Sequence, residues 1–419
     1  MRLKLMFVIL LLWLGLSRAL ASPASDLAAQ FLGYIEDYYV EPEKIDLKTL
    51  KSNLEIAVAN LCREDVNCPT NKIHDELGNI TKALPDKTSR FLSPELATQK
   101  RSEARGDTLN DARFGLGIEL RQNLVYRVLD NSPADKARVM IGDVITSITR
   151  NNQNWTKKLE FSDNTPITIS LERRGVKFIK NMSPELGWLT NLGFPESIVA
   201  KPKIGYLRIP SFRLSGTAAR VHEQLNKLVS SGANSLILDL RFNTGGLLEE
   251  MLLTLSAFHD GAALRLRSRG ATQLYSLKNG GIEATVGNKT SRYALPKPIT
   301  FKGNLIVLTN SSTASAAELL GLILQREQLA RFVGEPSYGL CQTALAPLQL
   351  LDQSELRLAA VKNLFADGES IPEKLEPDYS MTDDLTALEQ GHDLVLETAL
   401  KWLQPVNLSV RSMLEQPLF

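Results

Sequence analysis

Two short polar segments follow apolar strands and carry the residue types that could do covalent chemistry. Ser315 lies between an apolar run at 304–309 and a helix-like run at 316–330. A serine at a helix start has its hydroxyl at the positive end of the helix dipole, and the amide of Ala316 points the same way. Such a serine can simply cap the helix, or it can act as a nucleophile whose developing anion the amides stabilise.

The second segment is the turn Asp239–Gly246, which reads Asp-Leu-Arg-Phe-Asn-Thr-Gly-Gly. An apolar strand ends there, two glycines permit a tight turn, and a helix follows. Backbone N–H groups exposed at such a turn can bind an anion, although a plain strand–helix connection has the same sequence pattern. If the two segments meet, the amides of Gly245, Gly246 and Ala316 would form an oxyanion hole around Ser315.

The elements that must position these residues alternate between strand and helix. The patterns predict strands at 204–209, 235–240 and 305–309, with helices at 217–228 and 247–258. Strand–helix alternation with fully apolar strands is typical of an α/β fold. The chain before this region, 25–108, has helical spacing.

In this order, the motifs resemble those of the carboxyl-terminal processing peptidases, serine proteases that use a Ser–Lys dyad. The turn Asp239–Gly246 resembles the family's Asp-Leu-Arg-x-Asn-x-Gly-Gly, and Thr313–Glu318 resembles its nucleophile segment, so the resemblance gives the nucleophile role to Ser315. Further matching elements are Asp86–Pro94, Gly368–Ile371 and Pro377–Asp378. The resemblance implies an α/β, ClpP/crotonase-like protease core with a PDZ insert.

The PDZ-like insert is expected in the region 109–185, where glycines and short β-like runs appear. Gly115, Leu116, Gly117 and Ile118 match the family's carboxylate-binding loop. A peptide C-terminus adds as a strand beside such a loop, and backbone amides hold its carboxylate. The expected partners are therefore protein or peptide C-terminal tails; the alternative is a small β domain that only packs on the core.

The chain departs from the family where the catalytic lysine should stand. An ungapped match from Glu318 to Gly339 places Leu340 at the lysine position and Ala344 at that of a following glutamine. A lysine base must be neutral near pH 7, which requires a pKa far below its ordinary 10.4. A leucine side chain cannot take a proton at all, so the sequence leaves the base unidentified.

Four residues are candidates to replace parts of this machinery. If 340–344 is a strand, Gln342 shares a face with Leu340 and could orient a group, while Cys341 points to the other face. Lys362 could act as a substitute base from a neighbouring strand, although a surface lysine is the usual case. His259 could likewise act as a substitute base or be an ordinary surface histidine.

Residues 1–21 have the pattern of an export signal. Arg2 and Lys4 precede an apolar run at 5–16, and Ala19-Leu20-Ala21 is a cleavage site. We therefore predict export to the periplasm or outside the cell, with cleavage after Ala21, or an uncleaved anchor as the alternative. Cys62 and Cys68 could form a local disulfide in such a compartment or remain two free thiols, and Cys341 is left over.

Charge composition gives no sign of a nucleic-acid-binding protein. Lys and Arg total 48 against 47 Asp and Glu, so the net charge does not favour binding to nucleic acid. No sequence cluster has zinc spacing, and we expect neither metal nor cofactor. The predicted parts are a signal peptide at 1–21, a helical region at 22–108, a PDZ-like domain at 109–187, the core at 188–382, and a C-terminal helix and tail at 383–419.

Two functions follow from these observations. The first is an exported serine endopeptidase that cleaves proteins near their C-termini. The second is a catalytically silent relative that binds C-terminal tails or regulates an active enzyme.

Overall fold

The computed structural model describes residues 22–63, 65–105, 114–151, 153–154, 159–188 and 192–403. The predicted signal peptide and the last sixteen residues lie outside this range. The chain divides into two compact units. The first contains residues up to Ala104, Leu266–Thr272 and Thr343–Asn363; the second contains Arg105–Arg265, Gln273–Gln342 and the chain from Leu364 onward.

The described helices are α1 Pro23–Tyr38, α2 Leu47–Cys62, α3 His74–Ala83, α4 Pro94–Arg105, α5 Pro133–Lys136, α6 Thr217–Ser230, α7 Leu248–Leu255, α8 Ala316–Arg326, α9 Leu385–Glu389 and α10 Leu394–Leu403. The first strands are β1 Arg90–Leu92, β2 Phe114–Gly115, β3 Ile118–Arg121, β4 Leu124–Val128, β5 Val144–Arg150, β6 Gln153–Asn154, β7 Ile167–Arg173, β8 Val176–Met182, β9 Glu185–Leu186, β10 Glu196–Lys201 and β11 Ile204–Arg208. The later strands are β12 Ser235–Asp239, β13 Gly261–Arg267, β14 Thr272–Lys278, β15 Gly281–Val286, β16 Lys289–Ala294, β17 Asn304–Thr309, β18 Arg331–Gly334, β19 Thr343–Gln349, β20 Glu355–Phe365 and β21 Tyr379–Ser380.

Helices α1 to α3 build the core of the first unit. Helix α1 buries Leu27, Phe31 and Ile35, which recur every fourth residue and so form one apolar face. Strand β20 pairs antiparallel with β1 and β19 and adds Leu356 to this core. The predicted N-terminal helices are confirmed. The predicted Cys62–Cys68 disulfide is also present, between α2 and the turn that leads to α3.

The second unit begins with a β-rich segment, residues 114–186. Strands β3, β4, β5, β7 and β8 form an antiparallel sheet in that order. Along β7 the side chains of Ile167, Ile169 and Leu171 are buried, because alternate residues of a strand face the same side. Ser132 caps α5 by accepting a hydrogen bond from the N–H of Asp135, as its position before a proline predicts.

The second unit also contains a mostly parallel sheet. Its strand order is β10, β11, β12, β17, β18, β21, and only β10 runs antiparallel to its neighbour. One face packs on α10 through Val395 and Ala399, and helices α6, α7 and α8 follow one another as packed neighbours. The chain combines helices and sheets as predicted, and the strands expected near 204–209, 235–240 and 305–309 are neighbours in this sheet.

The C-terminal helix predicted within 383–419 is not one continuous helix. The structure has two helices, α9 and α10, separated by Gly391 with a φ of 85°. Asp393 caps α10 by accepting from the N–H of Leu396 and at the same time binds Arg241. Residues 389–393 contain no apolar side chain, and Gly391 and Asp393 are typical helix-end and N-cap residues, so the sequence did carry a signal for this break.

Within the described residues, no helix combines the length and apolar character needed to cross a bilayer.

Candidate active site

The two turns singled out in the sequence lie side by side at the carboxyl edge of the parallel sheet. Strands β12 and β17 are neighbours, so the chain leaves both at the same edge, where α/β sheets bind ligands. Hydrogen bonds join the two turns: Leu240 N–H to Leu308 O at 2.9 Å, Phe242 N–H to Asn310 Oδ1 at 2.9 Å, and Ala314 N–H to Asn243 O at 2.9 Å. The turns therefore form one hydrogen-bonded structure.

Gly245 is packed directly against the serine. Its φ is +87°, and a Cβ on it would lie 2.8 Å from Ala314 O, Ala316 N and Ser315 Cβ. Any other residue would clash there and would also resist this backbone conformation. The glycine turn and the start of α8 are therefore in contact, as the sequence argument required.

The three predicted oxyanion amides differ in their hydrogen bonds. The N–H of Gly245 donates to Asn243 Oδ1 at 2.9 Å, so that amide already has an acceptor. Over the described part of the chain, the N–H groups of Gly246 and Ala316 have no hydrogen-bond acceptor. These two donors are the ones that a ligand oxygen could use.

Ser315 has an unusual backbone. Its φ is 56° and its ψ is −120°, although it is not a glycine. Such a conformation costs about 1–3 kcal/mol and persists only where neighbouring interactions hold it. The residue is half-buried, so its position at the N-terminus of α8 remains accessible.

Glu318 holds the serine in this conformation. Its Oε2 accepts from the N–H of Ser315 at 2.6 Å and from that of Leu340 at 2.9 Å. Its Oε1 accepts from Ser337 Oγ at 2.5 Å and from the N–H of Gly339 at 2.6 Å. Four donors compensate the burial of this fully enclosed carboxylate.

Sequence reasoning used Glu318 only to align the motif. The available signal was an acidic residue in the first turn of a helix, which commonly caps its own helix. Nothing in the sequence indicates that the same carboxylate also binds a segment some twenty residues later.

A buried ion network supports the start of the glycine turn. The guanidinium of Arg241 pairs with Asp239, Asp383 and Asp393. Burial by itself raises the pKa of Asp239, but Arg241 outweighs it and holds that pKa below its usual range. The turn therefore starts from a fixed charged anchor.

The predicted lysine position is occupied by a half-buried leucine on an irregular segment. Strand β19 begins only at Thr343, so Leu340 and Gln342 do not share a strand face. The orienting role predicted for Gln342 depended on that shared face and is therefore not supported. The side chain of Gln342 is exposed and donates to Ile371 O at 3.0 Å. It is thus already engaged away from the serine.

The other three candidates, Cys341, Lys362 and His259, each make separate contacts in the structure. Cys341 is buried near the carbonyl of Pro372, and burial raises the pKa of its thiol, so the nucleophilic thiolate is disfavoured. Lys362 lies in the first unit, where its ammonium donates to Glu41 Oε1 at 2.7 Å. His259 is half-buried, with Nε2 3.3 Å from Ala262 O.

The loop 115–118 precedes β3 in the β-rich segment. Gly117 has a φ of 71°, and a Cβ on it would lie 2.3 Å from Ser132 Cβ. The side chains of Leu116 and Ile118 are buried in the core of the segment. In the described part of the chain, the N–H groups of Leu116 and Gly117 have no acceptor.

Comparison with known proteins places these features in a family. Residues 203–381 match the model described as Peptidase family S41. The carboxy-terminal-processing protease of Bartonella bacilliformis is 27% identical over 327 residues, which cover 74% of this chain and 70% of that protein. The carboxy-terminal processing protease CtpA of Bacillus subtilis is 26% identical over 308 residues, 70% of this chain and 60% of that protein.

Two solved structures share the fold. The photosystem II D1 C-terminal processing protease superposes with a TM-score of 0.51 and 19% identity, covering 88% of this chain and 97% of its own. A putative S41 protease from Bacteroides fragilis gives a TM-score of 0.54 and 19% identity, with coverages of 89% and 96%.

Proposed function

The chain belongs to Peptidase family S41, with similarity to the carboxyl-terminal processing peptidases, and from that membership we propose a serine endopeptidase with Ser315 as its nucleophile. The observation that carries the proposal is the contact between Gly245 and the start of α8. It brings a strained serine against a turn whose neighbouring amides have no acceptor among the described residues.

In this proposal Ser315 Oγ attacks the carbonyl carbon of the scissile peptide bond. The carbonyl oxygen then carries a negative charge, and the N–H groups of Gly246 and Ala316 hold it. Removing one such donor from a serine protease typically costs about 100- to 1,000-fold in rate. Gly245 acts through the close approach of its backbone, since its own N–H is bound to Asn243.

The proposed substrates are protein C-terminal tails, bound by the β-rich segment acting as a PDZ-like domain. The support is the loop 115–118, where two backbone N–H groups without an acceptor in the described residues lie next to β3. Strand β3 has a sheet partner, β4, on one side only within the described sheet, so an extended peptide can add to its other edge.

We also propose that the protein is exported and cleaved after Ala21. The disulfide between Cys62 and Cys68 fits an oxidising compartment. Ser22, the first residue after the proposed cleavage site, is the N-cap of α1. N-terminal sequencing of the secreted protein should begin at Ser22; retention of residues 1–21 would favour an anchor.

The nucleophile is tested by labelling with a serine-reactive fluorophosphonate. The native chain should be labelled, and Ser315→Ala should lose the label. Ser311→Ala is the matched control, because it removes an exposed hydroxyl four residues earlier and should leave labelling unchanged. Equal labelling of the native chain and Ser315→Ala would remove Ser315 from the mechanism.

Tail recognition is tested with two peptides that differ only at the end. A peptide with a free C-terminal carboxylate should bind more tightly than its C-terminal amide, by about tenfold or more, since charge-assisted hydrogen bonds contribute about 1.5–3 kcal/mol each. Equal affinity, measured by fluorescence anisotropy, would contradict a carboxylate-binding loop. Tail binding without labelling or cleavage would instead fit the catalytically silent alternative.

A further inference from the structure

A serine nucleophile needs a general base within hydrogen-bond reach, and Leu340 cannot supply one. We propose that Lys374 supplies the base from the segment that lies beside Leu340. This inference rests on the proposed function of Ser315 and names the residue that the site otherwise lacks.

Residues 371–375 run antiparallel beside 337–342. The N–H of Ser337 donates to Leu375 O at 3.0 Å, and the N–H of Leu375 donates back to Ser337 Oγ at 2.8 Å. At the other end Gln342 donates to Ile371 O at 3.0 Å. Because both ends of the pair are fixed, Lys374 is held opposite the middle of the segment that carries Leu340.

The side chain of Lys374 lies against Gly339, the residue before Leu340. Its Cγ and Cε are 3.2 Å and 3.4 Å from the position that a Cβ on Gly339 would occupy. The amine therefore lies near the backbone of the segment in which Leu340 stands. Gly339 leaves the space that the lysine stem uses, since any side chain there would displace it.

The same backbone is bound to the nucleophile through one carboxylate. Glu318 Oε1 accepts from Gly339 N–H and Oε2 from Ser315 N–H, at 2.6 Å in both cases. Lys374 is exposed, and no ion pair of this lysine occurs among the described residues. A long, exposed side chain without an acidic partner can change rotamer on the nanosecond timescale. The proposal requires such a change to bring the amine from Gly339 to Ser315.

The ionisable groups around Lys374 do not compete for the role. On the paired segment they are Tyr338 and Cys341, and Glu318 lies beneath its amides. Burial raises the pKa of the Cys341 thiol, so this thiol stays protonated at neutral pH. The oxygens of Glu318 each accept two hydrogen bonds already.

Each proton that moves in the proposed reaction has a donor and an acceptor. The neutral amine of Lys374 takes the hydroxyl proton as Ser315 Oγ forms a bond to the carbonyl carbon, and the carbonyl π electrons move onto oxygen. The C–N bond then breaks, and the ammonium gives that proton to the leaving amine. Water hydrolyses the acyl-serine with the same amine accepting its proton and returning it to Oγ.

Removal of the amine is the direct test. Lys374→Met should lower peptide hydrolysis by at least about 100-fold, the usual contribution of a general base. Lys374→Arg should be equally impaired, because a guanidinium keeps the charge but is not a base. Lys289→Met, which changes an exposed lysine on β16, is the control and should leave the rate unchanged.

The pH profile separates a base from a structural residue. The pH profile of the native chain should differ from that of Lys374→Met, because only the native chain would carry this base. Lys374→Cys treated with bromoethylamine restores an amine in almost the same place and should recover activity. A lysine that only packs on Gly339 would leave the pH profile unchanged when it is replaced and would give no such rescue.

The Leu340→Lys variant distinguishes failure of this inference from failure of the proposed function. In that background Lys374→Met should cost less than threefold, because the new lysine replaces the amine. If the native chain needs Ser315 but Lys374→Met keeps its full rate and pH profile, the inference about Lys374 is overturned while the proposed function stands. If neither the native chain nor Leu340→Lys hydrolyses any peptide, both are overturned.

Discussion

Glu318 binds donors from two parts of the chain with a single carboxylate. One group is the N–H of Ser315 in its own helix turn, and the other is formed by Ser337, Gly339 and Leu340. Each carboxylate oxygen accepts two hydrogen bonds. The strained backbone of Ser315 therefore depends on a side chain that accepts hydrogen bonds and donates none.

Glu318→Gln tests this dependence. The amide replaces one acceptor oxygen by an NH₂ group, which would face two hydrogen-bond donors and lose up to two hydrogen bonds. We expect unfolding to be easier by about 2–5 kcal/mol and fluorophosphonate labelling to fall, since buried polar groups would be left unsatisfied. Urea unfolding and labelling rates measure both.

The exposed Glu327→Gln, just after the end of the same helix, is the matched control and should change neither quantity. A Glu318→Gln chain with native stability and native labelling would contradict the role given to the carboxylate.

The residues that could be predicted are those that directly follow neighbouring strands of the parallel sheet. Asp239–Gly246 and Ser315 follow apolar strands, and adjacent parallel strands bring such turns to one edge, so their meeting was predictable. The role of Glu318 toward Gly339 was not, because it depends on where a distant irregular segment lies. The nearness of Lys374 to Gly339 was hidden for the same reason.

At the scale of elements, His222 joins helices α6 and α7 to the loop before β17. Its Nδ1 accepts from the N–H of Ile299 at 3.0 Å, so Nε2 carries the proton and faces Leu253 O at 3.0 Å. A protonated ring would have no acceptor site for Ile299. Burial lowers the pKa of His222 below its ordinary 6.5, in agreement with this neutral form.

The consequence for stability has a definite sign. Because the folded pKa lies below the unfolded one, the unfolded chain binds more protons between the two values, and stability falls as pH drops through 6.5. Each pH unit in that interval costs up to about 1.4 kcal/mol. Urea unfolding at pH 7.5 and 5.5 should show a loss that His222→Gln reduces.

His392→Gln changes an exposed histidine and should keep the native pH dependence. If His222→Gln and the native chain lose stability equally on acidification, the buried histidine is not the group responsible.

Element prediction failed in two places. The break between α9 and α10 was overlooked although residues 389–393 carry no apolar side chain, and Gly391 and Asp393 are typical helix-end and N-cap residues. The antiparallel strands β14 to β16 escaped notice because β16 is exposed along its whole length and shows no alternation. Strong periodicity, as in α1 and β12, was sufficient elsewhere.

At the scale of the whole molecule, different interactions stabilise the two units. The second unit contains the parallel sheet and its buried ion network. The first unit is smaller and has a disulfide that closes a short loop between Cys62 and Cys68. Small cores gain most from such covalent constraints.

Cys62→Ser combined with Cys68→Ser should lower the stability of the first unit by about 2 kcal/mol, the chain-entropy value for a loop of this length. Thermal unfolding measures the change, and the native chain under reducing conditions should behave like the double variant. Cys341→Ala is the matched control for loss of a thiol without loss of the bond. An unchanged melting temperature would indicate that the bond adds no stability.

Arg241 sets an order of events during biosynthesis. Two of its carboxylate partners, Asp383 and Asp393, are made 142 and 152 residues after it. Until they emerge, the guanidinium beneath the glycine turn has only Asp239 to neutralise it in a buried place. A growing chain therefore cannot complete the ion network beneath the glycine turn until residues 383–393 have been synthesised.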